Sequence, residues 1–162
     1  MDVLTGPQRR LNMRRIRGKN TKPEMFIRRG LHARGMRFRL HAADLPGRPD
    51  IVFPKYRAVV LVHGCFWHGH GCHLSKLPQT RRIFWSTKIR NTSLRDLRTL
   101  NAIRSKGWRA LIVWECALRG RTRMNVQTLL DRSEAFLKNE NLLTMQIKGE
   151  RKPIHSKRKT AQ

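Results

Sequence analysis

Between Val62 and His73 the chain reads VHGCFWHGHGCH. Cys65, Cys72, His63, His68, His70 and His73 all fall in it, with Phe66 and Trp67 beside the first cysteine. The remaining cysteine of the chain is Cys116. Three thiols and one imidazole fill the four-ligand quota of a structural zinc ion. A loop this poor in aliphatic side chains would take its folding energy from such an ion rather than from packing. The pattern Cys65-x4-His70-x-Cys72, with Cys116 far downstream, is not that of a standard finger, and spacing alone leaves the imidazole ligand open. Cys116 by itself could equally be a buried thiol. Three cysteines cannot all pair within one chain, and in a reducing compartment such a set more often binds metal than forms a disulfide.

Zinc leaves histidines to spare, and a carboxylate comes near them. Asp50 opens the run DIVF and His63 closes the run AVVLVH. If these strands form a hairpin turning at Lys55-Tyr56, Asp50 lies opposite Leu61, and side-chain alternation puts Leu61 and His63 on one face. A one-residue slip would undo that. His68 is within reach of the same end, and Glu24 on the first helix is a further acid. A carboxylate suits Mg²⁺, the ion activates water and polarises a phosphoryl group, and a neutral imidazole takes the proton. Phosphodiester cleavage is the chemistry this group could perform. Plainer roles stay open: Asp50 capping its loop or pairing with Arg48, Glu24 as a helix-capping acid only, His63 as a satisfied strand-end residue. The common nuclease pattern of Pro-Asp followed by a strand bearing Asp/Glu-x-Lys is half present, since the strand after RPD ends in VHGC.

The elements that must position these groups can be read around them. Residues 1–20 form a basic N-terminal arm carrying Met13, expected to order on binding. Thr21-Lys-Pro-Glu24 is a capping box. It predicts a helix to about Arg34, with Phe26, Ile27 and Leu31 inward and Gly35 as its stop. Arg37–Leu40 is a short strand candidate, and 41–49 is a loop. DIVF and AVVLVH make the hairpin. A short helix is expected over Thr80–Ile89. Another should follow a second capping box, Ser93 to Asp96, with Leu94, Leu97, Leu100 and Ile103 at helical spacing and Gly107 at its end. WRALIVWEC, 108–116, predicts a strand buried on both faces that ends in Cys116 and keeps Trp108 and Trp114 in the core. Asn125 caps a last helix with Val126, Leu129, Leu130, Phe136 and Leu137 inward. From 148 to 162 a basic, aperiodic, disordered tail is expected. The domain is then 21–147, a small α/β unit around a mixed sheet.

The chain carries 36 Lys+Arg against 10 Asp+Glu in 162 residues, a net charge of +26. Such a surface repels itself unless a polyanion neutralises it, which points to nucleic acid. The charge does not separate an enzyme from a structural binder. No apolar run is long enough to span a bilayer and the first residues lack a signal-peptide core, so a cytoplasmic protein is expected.

LNMRRI, TKPE, LPGRPDIVF, HGCFWHGHGC, Phe84-Trp85 and GWRALIVWECALRG, in this order and spacing, resemble the very short patch repair (Vsr-type) DNA mismatch endonucleases. The likeness runs over about residues 9–120. It implies a restriction-endonuclease-like core that nicks DNA 5′ of the thymine in a T·G mismatch, the lesion left by deaminated 5-methylcytosine. It implies Asp50 as principal Mg²⁺ ligand, with the Val62 backbone carbonyl beside it, His68 as general base, and His63 and Glu24 acting around the ion and the scissile phosphate. It implies zinc on Cys65, His70, Cys72 and Cys116. Phe66 and Trp67 would wedge into the base stack, with Met13 entering from the other groove and Trp85 as a second aromatic site; unstacking costs least where pairing is already poor. It also implies a monomer that associates with the nucleoid through DNA and meets other mismatch-repair proteins. The chain departs from the family's pattern at Val62, at Gly69 and Gly71, and over 91–94, where Asn91 stands one place early. A restriction-like nuclease with another target and a zinc-stabilised DNA-binding module without catalysis are the rival readings.

Overall fold

Two runs, Ala58–His63 (β3) and Arg109–Trp114 (β4), are almost wholly buried, a pattern that requires cover on both faces of a sheet. The computed structural model describes residues 5–15 and 18–150. Along the chain it forms α1 (Gly6–Arg15), α2 (Lys22–Ala33), β1 (Arg39–Leu40), β2 (Ile51–Phe53), a 3₁₀ turn (Pro54–Tyr56), β3, α3 (Arg82–Ser105), β4, α4 (Glu115–Leu118), α5 (Val126–Lys138) and β5 (Thr144–Ile147). The sheet order is β1-β2-β3-β4-β5. β1, β2 and β3 are antiparallel neighbours, while β3, β4 and β5 run parallel. This is a mixed α/β architecture, as expected.

Alternation sorts the strand residues between two cores. Ile51, Phe53, Val60, Leu111 and Val113 meet Ile27 and Leu31 of α2 and Leu129 and Leu137 of α5. Val52, Val59 and Ala110 meet Ile103 at the end of α3 and Leu45. A third cluster, Leu61, Ile112 and Trp114 with Cys65 and Cys116, sits under the cysteine loop. Arg109 is buried, and its guanidinium donates to the carbonyls of Tyr56, Phe136, Leu137 and Asn139. It ties the 3₁₀ turn to the end of α5.

Several expectations change. The two helices expected between Thr80 and Gly107 are one, α3. Ser93 and Asp96 cap nothing, because their side chains reach out to the cysteine loop instead. Leu94 and Leu97 are exposed and only the C-terminal end of α3 packs on the sheet. Phe26 and Val126 are exposed rather than inward, since each lies one position off the buried stripe of its helix. β4 ends at Trp114, and Cys116 lies in the short α4 that follows. The strand expected over Arg37–Leu40 pairs only at its last two residues. Trp108 is half-buried beside the second core.

β5 was not anticipated. It pairs with β4, and beyond it Gly149 and Glu150 donate to Cys116 Sγ and the Thr122 carbonyl, so the packed chain runs past 147. The arm contains a helix, α1. The Met13 side chain and tail residues 151–162 lie outside what is described. Among the described residues no helix is long and apolar enough to cross a membrane.

Candidate functional site

Parallel pairing sets His63 beside Trp114 at the C-terminal ends of β3 and β4. The segments that leave those ends, Gly64 onward and Glu115 onward, therefore start side by side. That is how Cys65 and Cys116, 51 residues apart, come together: the Cys116 amide donates to Cys65 Sγ at 3.3 Å. The Cys65 amide donates to the Glu115 carboxylate at 3.2 Å, a second tie between the two segments.

The sulfur atoms of Cys65, Cys72 and Cys116 and a ring nitrogen of His70 all lie within 4.8 Å of one another. His70 Nδ1 is 3.5 Å from Cys116 Sγ, and its ring stacks on Trp114 at 4.2 Å between centroids. Backbone amides of Leu74 and Gly149 donate to the sulfurs of Cys72 and Cys116. Burial pushes the Cys65 and Cys116 thiols up. Burial acts the same way on Cys72, yet the Leu74 amide, Ser75 and the neighbouring thiols bring it below the ordinary value. Donor type, number and convergence fit a thiolate-rich tetrahedral ion. A side chain at Gly149 would collide with the Cys116 carbonyl and Thr122, so only glycine brings that amide so close.

At the same end of the sheet, antiparallel register places Asp50 opposite Leu61, because Ile51 pairs with Val60. Asp50 Oδ2 accepts the Val62 amide at 2.8 Å. A strand residue's N–H and C=O point to the same edge, so the Val62 carbonyl is directed to Asp50's side of β3. Burial, together with the Glu24 charge, raises the Asp50 carboxyl to about 6, against the pull of the Val62 amide. Glu24 is buried and held by the capping box: it accepts from the Asn20 amide and the Thr21 hydroxyl at 2.9 and 2.8 Å.

His63 and His68 stack with centroids 3.8 Å apart and planes 6° from parallel. Burial and the facing His68 lower His63 to about 4, so it is neutral at physiological pH. His68 Nδ1 lies 2.6 Å from Asp96 Oδ2. Burial opposes charge on Asp96, but the hydrogen bond with His68 and the nearby imidazoles hold its carboxyl below the ordinary value. Asp96 is therefore the acceptor, His68 carries its proton on Nδ1, and Nε2 is left as the basic nitrogen. Glu24, Asp50, His63, His68, Asp96 and Glu115 all line one open cleft of about 820 Å³.

Trp67 and Lys88 line the cleft's rim. Phe66, Trp67 and Trp85 form a half-buried edge-to-face cluster with centroids 5.0–6.0 Å apart. Lys88 Nζ lies 5.5 Å from the Trp67 and Trp85 rings. Gly69 approaches Ile89 of α3, and Gly71 stands in open space; both have positive φ.

The structure thus brings Glu24, Asp50, His63, His68 and the Val62 backbone together, and Cys65, His70, Cys72 and Cys116 together. Sequence reasoning missed Asp96, Glu115 and Trp114 as parts of the site. From sequence Asp96 reads as the acid of a capping box, whereas its carboxylate meets His68. Its position three residues after Ser93, on the same helix face, was a signal that both faced one neighbour, but not which.

Comparison with known proteins adds the remaining piece. A sequence profile described as DNA mismatch endonuclease Vsr matches residues 1–74. The type II nicking enzyme V.XorIIP of Xanthomonas oryzae pv. oryzae is 48% identical over 134 residues, covering 82% of this chain and 98% of that protein. The DNA mismatch endonuclease Vsr of Escherichia coli is 45% identical over 139 residues, covering 86% of this chain and 89% of that protein. The type II nicking enzyme V.NmeAIP of Neisseria meningitidis is 38% identical over 120 residues, 74% of this chain and 86% of that protein. With identity of 45% and 48% over more than four-fifths of the chain and most of each relative, the chain belongs to the Vsr family of DNA endonucleases.

Proposed function

We propose that this endonuclease nicks duplex DNA 5′ of the thymine in a T·G mismatch, as a monomer on a restriction-endonuclease-like core, with Mg²⁺ in the cleft and zinc in the knuckle. One observation carries the reading: Asp50, Glu24, His63 and the His68–Asp96 pair line a single cleft beside the Phe66–Trp67–Trp85 cluster. Asp50 and Glu24 supply carboxylate oxygens and the Val62 carbonyl a further one, the donor type a hard divalent cation takes. When bound, that ion polarises the phosphoryl oxygen and makes the attacking water more acidic.

The chain's own residues do the rest. His68 Nε2 accepts the proton of the attacking water, and Asp96 fixes the tautomer and stabilises the imidazolium that forms. Neutral His63, stacked on His68, keeps the ring in place and offers a hydrogen bond without adding positive charge beside the general base. Cys65, His70, Cys72 and Cys116 hold zinc, which makes the loop between β3 and α3 rigid and so fixes His68. Phe66 and Trp67, with Trp85 behind them and Met13 from the arm, enter the stack where the weak pair costs least to open. The basic surface takes the phosphates.

The test is one incubation series with a T·G duplex, a matched duplex, and Mg²⁺ present or withheld. The expected result is a nick 5′ of T in the mismatch only, and only with Mg²⁺, lost in Asp50→Ala and His68→Ala with binding retained. Cleavage of matched DNA would assign a different target. Tight binding without cleavage would assign a DNA-binding module.

A further inference from the structure

His41 faces the same cleft and has no role in the mechanism above. It follows β1 with φ of 47°, a left-handed turn that L-residues seldom adopt. Its amide donates to the Asp50 carbonyl at 3.3 Å, which locks the backbone of one to that of the other. A ring nitrogen of His41 and carboxylate oxygens of Glu24 and Asp50 lie within 4.8 Å of one another. His41 Nε2 is shut off from solvent and has no hydrogen-bond partner among the described residues. A shielded nitrogen is costly to leave unpaired, and two carboxylates lie close to the same ring. Two ionised carboxylates this close also repel each other. One cation between the three donors would relieve all of these at once. With metal–ligand bonds of about 2.1 Å, opposite ligands sit about 4 Å apart, so little movement is needed.

We propose that His41 is a fourth protein ligand of the cation, beside the Glu24 and Asp50 carboxylates and the Val62 carbonyl, and that its nitrogen biases the site toward Mn²⁺-type transition-metal ions over Mg²⁺. The proposal rests on reading Asp50 as a cation ligand. An all-oxygen shell suits Mg²⁺, whereas an imidazole in the shell favours later first-row ions, which accept nitrogen readily. The His63–His68–Asp96 group is the competing location for such an ion, because its ligand atoms also lie within 4.8 Å of one another.

The experiment is Mn²⁺ binding to the full-length, zinc-loaded protein without DNA, followed by pulsed EPR and by calorimetric competition with Mg²⁺. Bound Mn²⁺ should show ¹⁴N coupling that disappears in His41→Gln and persists in His68→Ala. His41→Gln should weaken Mn²⁺ by roughly tenfold or more and Mg²⁺ far less, so the Mn²⁺ preference falls. His41→Asn should do the same. Asparagine tolerates the left-handed φ, and matching melting curves show that the fold is kept. Coupling that survives both variants, or an unchanged Mn²⁺/Mg²⁺ ratio, overturns the proposal. So does coupling lost only in His68→Ala, which would seat the ion among His63, His68 and Asp96. If Asp50→Ala binds Mn²⁺ as the wild type does, it is the underlying reading of Asp50 that fails.

Discussion

Burial disfavours the ionised Asp50 carboxyl, the group proposed to hold the cation, and Asp50→Asn should show the cost. Folding raises the Asp50 pKa from 3.8 to about 6, through burial and the facing Glu24. At about 1.36 kcal/mol per unit, holding that group ionised at neutral pH costs the metal-free protein about 3 kcal/mol. Asparagine keeps an oxygen for the Val62 amide, 2.8 Å away in the wild type, and carries no charge. Without added Mg²⁺ at pH 7.5, Asp50→Asn should be more stable than wild type by up to about 3 kcal/mol, or roughly 6–12 °C in Tm for a chain of this size.

The sign follows from proton binding. A carboxyl whose pKa rises on folding favours the folded state below pH 3.8, and that favour is lost as pH climbs through about 6. The advantage of the variant should therefore shrink between pH 7 and pH 4.5. Urea unfolding at a series of pH values measures it, with nicking recorded alongside: the stabilised variant should be inactive. Mg²⁺ should narrow the gap by binding the folded wild type alone. If Asp50→Asn is no more stable at pH 7.5, or its advantage does not vary with pH, the buried-carboxylate argument is wrong.

Asp96→Asn should lower the nicking rate by about 10²-fold, because His68 loses the acceptor that sets its tautomer, while duplex affinity stays near wild type; an unchanged rate constant in single-turnover assays would remove Asp96 from the site. Cys72→Ser should lose bound metal and melt far below wild type or aggregate, and zinc content with a melting curve checks both; near-normal melting, with no zinc in the wild type, would end the structural-metal claim. Duplex affinity should fall steeply with salt, with a log–log slope of about −0.9 per phosphate contacted; a flat titration would mean that the basic surface is not the DNA footprint.

Much of the site was legible because its parts are local. The Cys65–Cys72 loop is contiguous, Thr21 and Glu24 are three residues apart in a capping box, and Asp50 and His63 sit at the ends of one hairpin whose register follows from a short turn. Local spacing and side-chain alternation are properties of the chain before it folds. The apolar runs of β3 and β4 likewise announced a sheet covered on both faces.

The rest depended on packing. α3 is one helix of 24 residues because Ser93 and Asp96 bond to the loop and leave no break, and nothing in the run Asn91–Asp96 says so beforehand. Which histidine joins the thiols, and which meets Asp96, follow from the loop's path over β3 and β4; likewise, only the sheet brings His41 beside Glu24 and Asp50. β5 was hidden because a four-residue edge strand draws its stability from the ladder of β4 rather than from its own sequence. Sequence by itself determined which chemical groups exist and how neighbours along the chain are spaced. The tertiary fold decided which distant groups share one low-dielectric cleft, because burial and parallel pairing act between segments that sequence distance does not relate.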